Sequence, residues 1–201
     1  GFRAGYTSSF QRVLVEIDSR RERTAPGSGV LLSSYLTHGW DIEDPDRFEW
    51  MSYGSRVGGF LDLGAQRVLG LSARAHFVNP VGDREVPFTE LFVLGRRPQD
   101  LSAFLPGVLR GRSAAIATLE YNYPIWVFLD GSLQLSVGNA FGRNLEDFEP
   151  GALRTSLGLG LQSSRDRDNA FTLLVAIGST RFDEPFAVDS FRLVAGTQTG
   201  F

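Results

Sequence analysis

The sequence predicts an all-β protein, an antiparallel transmembrane β-barrel of about nine strands with one long loop folded into its interior. Two observations predict this class. Apolar residues recur at every second position of long segments, as Leu157, Leu159 and Leu161 do around Gly158 and Gly160. The other face of these segments carries mostly glycine, serine and glutamine, with an occasional arginine. A soluble barrel needs a more highly charged outer face, so the pattern favours an apolar exterior and a water-filled interior.

The first four predicted strands are separated by turn-forming residues. Residues 25–29 (APGSG) and 44–46 (DPD) are turn signals of this kind. The four strands cover residues 11–18, 30–40, 47–63 and 66–79. In the fourth strand, Leu69 and Leu71 alternate with Gly70 and Ser72, and the alternation continues to Phe77.

The other five predicted strands follow a long interruption. They cover residues 113–127, 131–141, 152–164, 169–181 and 190–201. A tilted strand of about 9–11 residues crosses a bilayer, and most of the nine segments reach this length. Tyr121, Tyr123 and Trp126 lie near one strand end, which is typical of the aromatic girdle at a membrane interface.

Composition excludes several classes of function. The chain has 201 residues, no cysteine, a formal net charge of -3, and only arginine at its 20 Lys+Arg positions. Thiol catalysis, disulfides and cysteine-based zinc sites are therefore excluded, as are a lysine Schiff base and a P-loop. The charge argues against a nucleic-acid partner. No run of about 18 apolar residues indicates a membrane-crossing helix. We expect neither a cofactor nor a bound metal.

Candidates for catalysis are weak. His38 and His76 are the two histidines, and His76 shares the polar face of its strand with Arg74, which favours a structural role facing the interior. No Gly-x-Ser-x-Gly elbow is present. The acidic segment 41–46 is interpreted as a solvated loop rather than a cation site. We expect no catalytic residue, and a barrel-borne lipid hydrolase is the less favoured alternative.

Residues 80–112 form a long loop without alternation. A loop of this length is usually functional or disordered. Its large apolar residues indicate that it packs on something, and inside a wide barrel it would fold inward as a plug. These residues are Phe88, Leu91, Phe92, Leu94, Phe104 and Leu105. The charged side chains of Arg96, Arg97 and Asp100 are expected to face water.

Five segments of the chain carry a resemblance to a known family. They are Ile17–Arg21 (IDSRR), Pro26–Gly29 (PGSG), Val86–Gly95 (VPFTELFVLG), Thr118–Ile125 (TLEYNYPI) and Val137–Phe141 (VGNAF). In this order along the chain they resemble signatures of the bacterial surface antigen superfamily, which comprises the BamA-like outer-membrane assembly factors and the translocation barrels of two-partner secretion. The chain also stops on an aromatic residue at the end of an alternating strand, Phe201, as the assembly signal of that superfamily does.

The resemblance implies a fold and a function. The barrel of the superfamily has sixteen strands, so residues 1–201 would be a single portion of it, its C-terminal half, without the periplasmic POTRA modules. The implied function is insertion, assembly or translocation of other proteins in the bacterial outer membrane, without cofactor or catalysis. Implied partners are outer-membrane lipids including lipopolysaccharide, unfolded client proteins and periplasmic accessory proteins. The alternatives are a passive pore and a structural half-barrel without activity of its own.

The chain departs from the superfamily where the inward loop meets the barrel wall. The superfamily has an arginine at the loop tip and an aspartate on the wall, but the corresponding positions here are Ser102, two residues before Phe104, and Ser136. In an alternative register, residues 109–111 (LRG) are themselves the loop motif, with Arg112 where an aromatic residue is expected. The wall carboxylate Glu120 remains, and a lone charge in a barrel interior is costly. We therefore expect Arg110 or Arg112 to pair with Glu120.

The last strand is the predicted assembly strand. Its residues Phe191, Leu193 and Phe201 alternate on one face, and Thr199 stands where a second aromatic residue is common in the superfamily. The strand would form one side of a weak lateral seam of the barrel.

Overall fold

The computed structural model describes residues 5–20, 27–44, 46–96, 100–127, 129–163 and 170–198. It contains eleven strands among these residues, two of them only two residues long. The strands are β1 (Ser8–Asp18), β2 (Gly29–Asp41), β3 (Glu49–Gly64), β4 (Arg67–Pro80), β5 (Phe92–Val93), β6 (Arg110–Gly111), β7 (Ser113–Trp126), β8 (Leu129–Phe141), β9 (Arg154–Ser163), β10 (Ala170–Ser179) and β11 (Val188–Gln198). Short 3₁₀ turns cover Phe88–Glu90, Arg143–Leu145 and Pro150–Ala152.

The nine long strands form one antiparallel sheet. Its order is β1-β2-β3-β4-β7-β8-β9-β10-β11, and each long strand pairs with the next long strand along the chain. The predicted all-β class and its nine strands are confirmed, with observed ends mostly within about two residues of the predicted ones. β5 and β6 pair with each other in a separate two-stranded ribbon. None of the described residues belongs to a helix long and apolar enough to cross a membrane.

The outer face of the sheet is apolar. Strand register places a continuous row of large apolar side chains directly opposite one another, from β4 to β11. The row consists of Leu71, Leu119, Leu135, Leu157, Ile177 and Phe191, all of them exposed. Because the side-chain period of a strand is two, a slip of one residue would move this row to the opposite face.

The inner face carries small and polar side chains and holds the larger hydrophobic core. Neighbouring strands place Thr118, Ser136, Ser156 and Gly178 in one row across this face. The large apolar groups that fill the interior come mainly from the loop between β4 and β7 and not from the strands. A smaller core of Phe48, Trp50 and Val78 lies at the end of the sheet where that loop begins.

Candidate functional site

The segment between β4 and β7 folds against the inner face of the sheet. Its neck is the ribbon of β5 and β6, and residues 94–109 between these strands are called the inward loop below. Two backbone hydrogen bonds make its tip compact, because the Gly95 N–H donates to the Asp100 carbonyl at 2.8 Å and the Phe104 N–H donates to the Leu101 carbonyl at 3.0 Å. Gly95 has a φ of 82°, a left-handed conformation that glycine adopts without strain.

The tip of the inward loop is the centre of the larger core. The loop residues of this core pack against wall residues of β7 and β10. The cluster contains Leu94, Leu101, Ala103, Phe104 and Leu109 from the loop, and Ala114, Ile116 and Ala176 from the wall. Phe104 is only 1% exposed, and its ring lies over Gly178 so closely that a Cβ there would be 2.7 Å from the ring tip. The absence of a side chain at Gly178 therefore makes room for the ring.

A buried ion pair joins the inward loop to β4. Arg74 Nη1 donates to Asp100 Oδ1, and both side chains are almost fully buried. The loop thus supplies the carboxylate and the wall supplies the arginine. Removing one partner of a buried pair typically costs about 3–5 kcal/mol, because the remaining charge stays out of water. The expectation that the Asp100 side chain faces water is wrong, since this residue is only 2% exposed. Arg96 is exposed, and Arg97 lies outside the described residues.

A second wall arginine binds the backbone of the inward loop. Arg192 on β11 donates from Nη1 to the carbonyl oxygens of Gly95 at 2.7 Å, Phe104 at 3.1 Å and Ser102 at 3.4 Å. A guanidinium group has five N–H donors in a rigid planar arrangement, which suits it to several acceptors at once. The last strand of the sheet is therefore bonded directly to the loop tip.

Two further wall residues complete the contact. The Ala103 N–H donates to Ser156 Oγ on β9 at 3.0 Å, and the hydroxyl oxygens of Ser102 and Ser156 lie 3.4 Å apart. The Arg154 guanidinium, 5.6 Å from the centre of the Phe104 ring, also pairs with Asp189 of β11 at 2.5 Å. The loop tip therefore contacts β9 through polar groups as well as packing.

These contacts require a strongly curved sheet. β4 and β11 are five strand spacings apart in the sheet order, so in a flat sheet they would be about 24 Å apart. A single loop tip nevertheless bonds to Arg74 on β4 and to Arg192 on β11. The sheet must therefore curl around the loop, which lies on its concave side.

The expected pairing of Glu120 with Arg110 or Arg112 is not formed. Glu120 accepts a hydrogen bond from Asn122 Nδ2 at 2.8 Å, and Arg110 lies with its guanidinium 4.0 Å from the centre of the Phe88 ring. Arg112 precedes the first residue of β7 at the neck of the loop, and Glu120 lies eight residues farther along the chain, about 25 Å at the rise of an extended strand. The prediction is wrong because it ignored this separation.

The other predicted contact residues lie in or beside the site. Ser102 and Phe104 are buried at the loop tip. Ser136 is also buried, but its hydroxyl pairs with Thr118 Oγ1 at 3.0 Å, and the residue that binds the loop is Ser156, directly opposite Ser136 on β9. The resemblance therefore indicated the correct loop segment and a wall position one strand away from the contact.

Sequence reasoning missed Arg74, Arg192 and Asp100 as a set. The signal for the arginines was their place on the polar face of strands whose other polar-face residues are mostly small. Asp100 directly precedes the apolar tip segment, and a single carboxylate beside a buried segment needs a buried cation. Reading the two signals together would have predicted an ion pair of the observed polarity.

The predicted assembly strand is β11. Phe191 and Leu193 are 68% and 61% exposed on its outer face. Arg192 lies between them and points to the interior, where it contacts the loop. Phe201 lies outside the described residues.

A cavity of about 470 Å³ lies between β1–β4 and the start of the long segment, which contributes residues 89–93, Arg96 and Asp100. His76, 8% exposed, lines it; the Tyr35 hydroxyl lies 3.0 Å from His76 Nδ1, and the imidazole stacks on Phe92 with ring centres 4.2 Å apart. His76 therefore has a packed position in the interior. Within the described ranges, no group of three or more histidine or acidic residues is arranged to hold a metal ion.

Comparison with known proteins finds a likeness of fold. No family model matches the sequence, and no curated protein matches it. Among solved structures, the chain is similar to the crystal structure of BamA from Haemophilus ducreyi lacking POTRA domains 1-3, with a TM-score of 0.68 and 16% sequence identity. The match covers 94% of this chain and 42% of that chain. The chain therefore has a BamA-like barrel fold and spans less than half the length of the structure it matches.

Proposed function

We propose that the chain is part of an integral barrel of the bacterial outer membrane that inserts or translocates other proteins and works without cofactor or catalysis. The observation that carries this proposal is the polar interior filled by an anchored inward loop, in a sheet whose fold is like that of BamA. A barrel built for passive flow needs an open channel, whereas here the loop tip and its buried ion pair occupy the concave side.

The outer face supports a membrane location. The exposed row from Leu71 to Phe191 is too apolar and too continuous for a surface in contact with water. In lipid, the same row contributes to stability, because transfer of apolar area out of water is favourable. Lipids of the outer membrane, including lipopolysaccharide, are then the immediate partners of this face.

The edges of the sheet support a role in handling other polypeptides. Among the described residues, β1 pairs with β2 and β11 pairs with β10, so each has one edge available for a further strand. In lipid, unpaired backbone groups are costly, and these edges must be completed by other strands of the barrel or by a client strand. Unfolded client proteins, and accessory proteins that deliver them from the periplasm, are the proposed partners.

The experiment is client folding in proteoliposomes. Full-length protein is reconstituted, a urea-unfolded outer-membrane protein is added, and the folded fraction is followed by its altered gel migration without heating. We expect folding several times faster than in liposomes that carry an unrelated porin at equal density. Equal folding rates together with steady ion conductance would identify a passive pore instead, and equal rates without conductance a structural barrel.

A further inference from the structure

Arg192 occupies an unusual position for a loop anchor, because it lies on an edge strand of the sheet. β11 is held to the sheet along one side only within the described residues, by its ladder with β10. Its outward neighbours Phe191 and Leu193 are exposed and make no core contact. The inward-facing Arg192 therefore provides an attachment of the strand that does not depend on the ladder.

The attachment is made to a loop that is fixed on the opposite wall. Asp100, between Gly95 and Ser102 in sequence, is bonded to Arg74 on β4. The three carbonyl groups that receive the Arg192 guanidinium belong to residues on both sides of Asp100, and the Gly95 N–H is bonded to the Asp100 carbonyl itself. Movement of the loop at Asp100 therefore displaces the acceptors of Arg192.

We propose that Arg192 is a positioning residue that couples the last strand of the sheet to the inward loop. When the loop is docked, β11 is held by its ladder with β10, by the ion pair of Asp189 with Arg154 on β9, and by the Arg192 guanidinium. When the loop leaves the wall at Arg74, β11 loses the attachment through Arg192 and its ladder opens more often. Coupling free energies are reciprocal, so loosening β11 also favours undocking of the loop. This inference goes beyond the proposed function and does not depend on it.

The test measures the two elements separately in the full-length protein in lipid vesicles. Amide hydrogen exchange of residues 188–196 reports opening of β11. Because the chain has no cysteine, a single Ser102→Cys thiol reports exposure of the loop tip by its labelling rate. Variants are compared only after unheated gel migration and circular dichroism show a folded barrel. Neither measurement requires a client protein.

We expect Arg192→Gln to accelerate exchange in residues 188–196 at least tenfold and to accelerate labelling of the loop tip. Arg192→Lys keeps the charge but has fewer donors, so it should restore part of the protection. The decisive variant is Asp100→Asn, which loosens the loop at β4. It should accelerate exchange in β11 at least threefold, and in the Arg192→Gln background it should have no further effect on β11.

Arg12→Gln is the matched control. Arg12 also faces the interior from an edge strand, but its guanidinium lies 4.7 Å from the centre of the Tyr35 ring on the neighbouring strand. The Arg12→Gln variant should leave both hydrogen exchange in residues 188–196 and the labelling rate of the loop tip unchanged. The proposal is overturned if Asp100→Asn exposes the loop tip while hydrogen exchange in β11 stays as in the unmodified protein. It is also overturned if the double variant accelerates exchange in β11 by the product of the two single effects, because the Asp100 and Arg192 substitutions would then act independently.

Discussion

Replacing Phe104 with alanine should undock the inward loop. The ring is 1% exposed and is the largest side chain at the loop tip, where it fills the space over Gly178. Truncation of a buried phenylalanine to alanine costs about 3–5 kcal/mol, from lost transfer free energy and from the cavity that remains. Since each 1.36 kcal/mol is a factor of ten, the ratio of undocked to docked loop should rise roughly 150-fold to 5,000-fold.

The assay is labelling of a single Ser102→Cys thiol by a membrane-impermeant reagent. Ser102 is 4% exposed, so the thiol reacts only when the loop opens. If the loop closes faster than the reagent reacts, the labelling rate is proportional to the undocked fraction and should rise by roughly two orders of magnitude or more. Phe104→Leu keeps most of the apolar volume and should give a much smaller increase.

Phe88→Ala is the matched control, because Phe88 belongs to the same long segment but is 69% exposed. Its labelling rate should stay within about twofold of the parent, as exposed positions contribute little to packing. A change of less than about fivefold for Phe104→Ala in a folded barrel, against the roughly 150-fold minimum expected from the cavity cost, would refute the packing argument. The loop would then be held by its polar contacts alone.

Three further perturbations give distinct outcomes. Asp100→Ala removes the carboxylate while Arg74 stays buried, so the free energy of unfolding in a urea titration should fall by about 3–5 kcal/mol. The double variant with Arg74→Met and Asp100→Leu leaves no unpaired charge and should lose less. If the single and the double variant lose the same free energy, the ion-pair account is contradicted. Gly178→Ala places a methyl group against both Ser190 Oγ and the Phe104 ring and should destabilise the barrel by about 1–3 kcal/mol in the same titration. Phe104→Leu should relieve only the part that comes from the ring. With the outer face in lipid, as proposed, Leu157→Arg should cost up to about 2–4 kcal/mol, measured as a lower folded fraction in vesicles. If that face meets water instead, the same variant should leave folding unchanged and improve solubility without detergent.

Alternation and turn signals were enough to predict the nine strands, and the small, polar second face of the strands showed which face points inward. Period two is a local property, because successive side chains of one strand point to opposite faces. It therefore places Leu135 and Leu157 on the outward face of their strands, and the register sets them opposite each other. The burial of the loop was also predictable, since a segment as apolar as that around Phe104 must pack on something.

The partners of the charged groups were not predictable in the same way. The pairing of Arg74 with Asp100, and the contact of Arg192 with the loop, depend on the curvature of the sheet and on the path of the loop backbone. Neither property has a local sequence signal. The pairing of Glu120 with Arg110 or Arg112 failed for the related reason that it used nearness in sequence near a strand end and neglected the length of the strand between them.

The contact of Arg192 has a consequence for how the inward loop tolerates change. All three of its acceptors are main-chain carbonyls, which every amino acid provides. Substitution of a loop side chain such as Ser102 therefore leaves the acceptors in place, provided the backbone keeps its path. A motif of side chains can disappear from such a loop while its attachment to the barrel persists, and a comparison of residue types alone would read that exchange as a loss.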